Sequence, residues 1–196
     1  PSREQIKDNL PYSFRPFPTT VFVLDCTEIP VCSPSCIRCR TQTWSQYKKR
    51  HTIKVLIGVT PCGMIVYNGP CYGGKASDNF LFTASKLLER CQPGDSIMVD
   101  KGFRIEEECK LKGVQLIRPA FKENNEQLGY DDCENSRMVA SARVHVERVM
   151  ERLKNYRILQ DEIQWNYLQL MDDIVVVICG LVNLSPAILS DKAFDY

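Results

Sequence analysis

The chain has only two histidines and two tryptophans, a net charge of +1, and no uninterrupted apolar run of the roughly 18 residues that a membrane-spanning helix requires. No membrane contact is therefore expected. The near-zero charge removes any argument for or against nucleic acid from the overall balance and leaves that question to local clusters. No basic leader precedes a short apolar stretch, so no secretion signal is read, and the opening at Pro1 rather than Met is that of a fragment. Neither an internal repeat nor a low-complexity segment is found. Cysteine, by contrast, is abundant, with ten in 196 residues. Most lie in apolar segments, as at Cys26, Cys71 and Cys179, where a thiol packs as a small hydrophobe. Without a signal peptide they are expected as reduced thiols, not as a disulfide framework. With 44% hydrophobic and 25% charged residues, the composition fits one soluble domain large enough to bury a core.

Residues 1–20 are polar, contain Pro11, Pro16 and Pro18, and read as a lead-in segment. Thr20–Leu24 is a β-branched and aromatic run ending at Asp25, the pattern of a buried strand. Pro30–Thr43 has two prolines, several cysteines and no period, and reads as a loop. Thr52–Val59 is a second strand, and Met64–Asn68 a third that closes a hairpin through Pro61-Cys62-Gly63. Ser77 or Asp78 can cap a helix over Asn79–Arg90. Ser96–Val99 is a fourth strand ending at Asp100, a polar helix follows over about Glu106–Lys112, and Gln115–Ile117 is a fifth strand. Asn124–Glu134 reads as a polar loop and Ser136–Asn155, free of Gly and Pro, as a long helix. An extended piece near Ile158–Ile163 and an apolar helix over Met171–Leu184 precede Pro186 and a short tail, residues 186–196. This order gives an α/β fold with a mixed five-stranded sheet flanked by helices. The ribonuclease H-like fold is one class with that order.

Three acids stand out in this frame. Asp25 ends the first strand, Asp100 ends the fourth, and Glu147 lies in the long helix. If the two strands are neighbours, both aspartates emerge at adjacent strand ends, where open α/β sheets place their sites. A glutamate from a helix crossing that end completes a three-carboxylate cluster of the hard oxygen donors that divalent cations take. Two such ions about 4 Å apart can activate an attacking water and stabilise the leaving oxygen of a phosphodiester. Arg143 lies one turn before Glu147 and Lys154 two turns after it, so all three share a helix face. A salt-bridged surface helix has the same pattern. Lys48, Lys49 and Arg50 form one basic cluster, and Arg143, Arg148, Arg152, Lys154 and Arg157 populate another.

Several blocks resemble a known family. Leu24-Asp25-Cys26-Thr27-Glu28-Ile29 is similar to the first catalytic motif of the PIF/Harbinger-type transposases, a group of DDE superfamily endonucleases. The stretch from Trp44 to Lys54 resembles their Tyr-Ser-x-Tyr-Lys-x-His-x-x-Lys block, and Tyr72-Gly73-Gly74-Lys75-Ala76-Ser77-Asp78 their Tyr-Gly-Gly-x-x-Ser-Asp motif. Pro93–Phe103 resembles the second catalytic block, and His145-Val146-Glu147-Arg148 with Arg152-Leu153-Lys154-Asn155 the third. The matches keep their order over about residues 11–185. The resemblance implies a catalytic domain over residues 21–185, with Asp25, Asp100 and Glu147 as a DDE triad holding two Mg²⁺ or Mn²⁺ ions. It implies hydrolysis that frees transposon ends and strand transfer into target DNA. Asp78 is a fourth acid, either a metal ligand or a helix cap. Lys101, Arg143 and Lys154 would hold phosphate, with Arg148, Lys48 and Lys49 as further DNA contacts. Nuclear location, a separate DNA-binding partner protein and assembly with further copies of the chain accompany the resemblance.

Some residues depart from it. Ala140 stands three residues before Arg143, where a bacterial insertion-sequence signature has Tyr. Cys32, Cys36 and Cys39 add a cysteine cluster that, with Cys26 or His51, would have the ligand types of a zinc site; the alternative is an ordinary loop in a cysteine-rich chain. His145 faces a different side of its helix from Glu147 and reads as a packing or orienting residue. Trp44 and Trp165 read as packing residues. Two functions remain open: an active metal-dependent endonuclease, and a domesticated descendant that binds DNA or protein without catalysis.

Overall fold

The structure, a computed structural model, describes residues 1–120 and 130–186. Its strands are β1 (Thr20–Pro30), β2 (Trp44–Ser45), β3 (Arg50–Val59), β4 (Ile65–Asn68), β5 (Tyr72–Gly73), β6 (Ser96–Met98) and β7 (Gln115–Ile117). Its α-helices are α1 (Arg3–Asp8), α2 (Ile37–Thr43), α3 (Asp78–Ser85), α4 (Glu106–Leu111), α5 (Tyr130–Lys154), α6 (Arg157–Gln160) and α7 (Met171–Leu184). Together they form a mixed α/β fold whose curled sheet and flanking helices are compatible with a ribonuclease H-like fold.

The sheet runs β2-β3-β1-β6-β7, with β4 and β5 also paired to β3. Side chains alternate across β1, as the pleat requires. Val23 and Ile29 join a core with Val139, Val146, Val149 and Leu153 of α5 and Val175 and Ile178 of α7. Leu24 packs on the opposite face with Leu81 and Phe82 of α3 and Cys109 of α4. Each of the larger buried aliphatic side chains contributes about 1.5–3 kcal/mol.

What positions the site is a split in the sheet. β1 pairs antiparallel with β3 over its length, from Val23↔Val59 to Pro30↔Thr52. Its parallel pairing with β6 stops at Val23↔Met98. Beyond that point the edge of β1 facing β6 is open.

Several expectations change. Seven strands, not five, are present among the described residues, because the turns at Trp44–Ser45 and Tyr72–Gly73 each lay a two-residue strand on β3. Asp25 does not end a strand: Thr27 and Ile29 are buried and keep β1 paired to β3 as far as Pro30. The loop read over Pro30–Thr43 contains α2, which Cys36 caps by accepting the Cys39 N–H at 3.4 Å. The extended piece near Ile158–Ile163 is the short α6, with only a bridge between Val31 and Ile163. In the polar stretch Asn124–Glu134, residues 130–134 are helical, and the rest lies outside the described residues, as does all but Pro186 of the tail. The lead-in packs on the domain, with Phe14 fully buried and Arg3 paired to Asp95 at 2.6 Å.

The continuous helical stretch Trp165–Leu184 has a mean hydropathy of 1.6 and is long and apolar enough, by length and composition, to cross a membrane. This qualifies the expectation drawn from uninterrupted apolar runs. One face of α7 is core: Met171, Val175, Ile178, Cys179 and Val182 are buried, and Asn183 exchanges two hydrogen bonds with the Ile65 backbone. Trp165 and Trp44, expected to pack, are 40% and 37% exposed.

Candidate active site

The open edge of β1 forms one side of a cleft of about 540 Å³. Asp25, Asp78, Asp100 and Glu147 all line it, as do Lys48, Arg143 and Lys154. The four acids arrive from different parts of the fold, each for a local reason. The β1–β6 register ends at Val23↔Met98, and Asp25 and Asp100 each lie two residues past it, where the strands part and both line the cleft. On α5 the buried stripe of Val139, Ala142, Val146, Val149 and Leu153 faces the sheet. Arg143, Glu147 and Lys154 flank that stripe and reach the cleft. Asp78 opens α3 behind its cap Ser77, whose side chain accepts the Phe80 N–H at 3.1 Å.

Asp25 lies on the α5 side of β1. Burial pushes its carboxyl up to about 6, and the nearby Asp100 charge adds to this; Arg143, the Cys26 N–H and Lys154 pull the other way. The Cys26 N–H donates to Asp25 Oδ1 at 2.9 Å. Arg143 donates from Nη1 to Asp100 Oδ1 at 2.9 Å. Its own Nε is buried and has no hydrogen-bond partner among the described residues.

The other side of β1 carries a second set of charges that the sequence reading left without roles. Glu28 and Lys54 are cross-strand partners. Lys54 Nζ lies 3.6 Å from Glu28 Oε1 and 3.2 Å from Asp78 Oδ1, and donates to Ala76 O at 3.0 Å. Glu28 also accepts from Thr52 Oγ1 at 2.8 Å, and its side chain is only 7% exposed. The Cys26 thiol beside them is pushed far above its ordinary range, first by burial and then by the Asp78 carboxylate. Glu28, Cys26 and Lys54 stood inside recognisable blocks. What singles them out is β1–β3 register, which composition and spacing do not give.

Among the described residues no three His, Cys, Asp or Glu side chains stand close enough to share one metal ion. The acids are instead held by cations, Asp100 by Arg143 and both Glu28 and Asp78 by Lys54. Lys101, Lys49 and Arg148 are exposed and do not line the cleft. His145 is a packing residue: it is 8% exposed, its Nε2 hydrogen-bonds Ser13 Oγ at 2.7 Å, and its ring stacks on Phe14. Cys32, Cys36 and Cys39 are free thiols, while Cys26 is turned to Asp78 and His51 Nδ1 is bonded to Thr43 Oγ1 at 2.9 Å.

A family model described as DDE superfamily endonuclease matches residues 24–183 of the chain. No curated protein and no solved structure matches it.

Proposed function

The chain belongs to the DDE superfamily endonucleases, and from that premise we propose that it is a divalent-metal-dependent DNA endonuclease, the catalytic core of a PIF/Harbinger-type transposase acting in the nucleus. Its ribonuclease H-like catalytic domain would span residues 21–185. The observation that carries this reading is that Asp25 of β1, Asp100 just past β6 and Glu147 of α5 line one cleft.

DDE-type endonuclease domains generally use divalent metals, and the oxygen donors lining the cleft are of the type such ions take, while no three of them converge on one point in this structure. All three side chains offer hard oxygen ligands. Asp25 is short of positive charge, since burial raises its carboxyl despite Arg143 and Lys154. Asp25, Asp100 and Glu147 would hold two Mg²⁺ or Mn²⁺ ions, and Asp78 is the accessory fourth acid. When bound, such ions would provide Lewis-acid chemistry for activating a water and for the charge on the leaving oxygen. The chain's own residues do the rest. Arg143 and Lys154 would present cations beside Glu147 to the scissile phosphate, and Asp100 would be free to act as a ligand only once Arg143 leaves it. Lys48 extends the basic wall, with Lys49, Lys101 and Arg148 outside it. Lys54, paired with both Asp78 and Glu28, would fix where the fourth acid stands beside the triad.

A second reading is a domesticated descendant that binds DNA or protein without catalysis. The Arg143–Asp100 pair favours it, because a carboxylate neutralised by arginine has no need of a cation. Nicking of supercoiled plasmid in Mn²⁺ separates the two. Nicking by the native chain that Glu147→Gln abolishes supports the nuclease. Equal nicking by both, or none by either, favours the binding module.

A further inference from the structure

A second hollow, of about 360 Å³, is lined by Arg40, Thr41, Trp44, Gln46, His51 and Lys75. Close backbone packing shapes it. The Gly74 N–H donates to Thr52 O at 2.8 Å and the Lys75 N–H to Gln42 O at 3.0 Å. A Cβ on Gly74 would collide with Thr52 Oγ1 and lie 2.9 Å from Thr43 O, and one on Gly73 would collide with Gln42 O. Only a Gly-Gly pair lets this turn press against the end of α2 and the start of β3, which sets Lys75 on the rim. Thr52 Oγ1 in turn donates to Glu28, which lines the acidic cleft, so one hydrogen bond links the Gly-Gly turn to that cleft.

The lining has the chemistry of one ligand class. Trp44 is 37% exposed, and its indole is braced edge-to-face by the His51 ring at 5.2 Å and 73°. Arg40 spends its Nε on Pro34 O, and neither Arg40 nor Lys75 has a carboxylate partner among the described residues. A partly exposed indole beside two cations without carboxylate partners among the described residues suits a ligand that is flat at one end and anionic at the other. Gln46 and Thr41 add polar groups at the scale of a base edge. The chain continues from Trp44 to Tyr47 and Lys48, which line the acidic cleft, so one strand of nucleic acid could follow it from one site to the other.

We infer that this hollow binds a nucleotide of a single-stranded DNA segment adjoining the step engaged in the acidic cleft, its base against Trp44 and its phosphate between Arg40 and Lys75. The inference rests on the DNA-processing reading and adds a specific contact to it.

The test is the anisotropy of a labelled oligothymidylate of about ten nucleotides titrated with the full chain. Trp44→Ala is expected to weaken binding about tenfold, the size of one base–aromatic stack. Trp44→Phe, which keeps a ring, should retain most of the affinity, and Lys75→Ala should reduce the slope of log affinity against log salt by about one. In a Trp165→Phe background the remaining indole should be quenched on binding. Native affinity in Trp44→Ala, binding without quenching, or no binding by the native chain overturns the inference. Should Trp44→Ala fail to fold, as judged by circular dichroism, the exposed Lys75→Glu reads the same site, and native affinity in it is equally fatal. Mn²⁺ titration of the same variants separates this outcome from the metal reading: Trp44→Ala and Lys75→Glu should bind Mn²⁺ as the native chain does, whichever way the oligonucleotide result falls.

Discussion

Asp25→Asn should make the metal-free protein more stable at neutral pH, although it removes a residue proposed to be indispensable. In the folded chain burial holds this carboxyl up at about 6, against 3.8 in its unperturbed state. Above pH 6 the native state must keep a buried carboxylate charged, at a cost on the order of 3 kcal/mol relative to the unfolded chain. Between those two values the folded state binds the proton more tightly than the unfolded state, so the native protein regains stability as pH falls through 6 and has recovered it all below about 4. Asparagine keeps an oxygen for the Cys26 N–H and carries no charge to bury. The expected gap is about 3 kcal/mol at pH 8, or roughly 6–12 °C in Tm for a chain of this size, closing towards pH 4. Thermal melts of both proteins in chelator at pH 8, 6 and 4.5 measure it. Saturating Mn²⁺ should then stabilise the native chain and not the variant. A variant no more stable than native at pH 8, or a gap that does not narrow on acidification, refutes the electrostatic picture of Asp25.

Lys54→Met leaves Glu28 and Asp78 without their shared cation in a largely buried setting; urea unfolding should show a loss of about 3 kcal/mol, with part recovered in Glu28→Gln/Lys54→Met. Gly74→Ala should cost at least about 2 kcal/mol because its Cβ meets Thr52 and Thr43, whereas Gly180→Ala in α7, with open space around it, should gain about 0.5–1 kcal/mol. Iodoacetamide at neutral pH should label Cys36, exposed and lowered chiefly by the Cys39 thiol, long before Cys91, Cys109 and Cys179, which burial pushes up to about 11. Peptide mapping that finds the buried thiols modified first would contradict that order.

How far the sequence reads ahead of the structure depends on the range of the interaction. β6, β7, α3, α4 and α7 were legible because hydrophobic period and turn residues are local signals. Strand order leaves the neighbouring of β1 and β6 open, and their parallel pairing settles it. Reading Asp25 as a strand end failed because a polar residue inside a long strand looks like a boundary until β3 is laid beside it. α2 went unseen because its cap is a thiol in a segment with two prolines. The Glu28–Lys54–Asp78 network needs three elements brought together, and the exposure of Trp44 depends on a two-residue strand; neither leaves a local trace.

The central claim is that Asp25, Asp100 and Glu147 are one cation site, and calorimetric titration of Mn²⁺ into the native chain and into Asp100→Ala tests it most directly. One site predicts binding by the native chain that is lost in the variant, with both proteins folded. Absence of Mn²⁺ binding by the native chain, even with DNA present, or undiminished binding by Asp100→Ala, would contradict it.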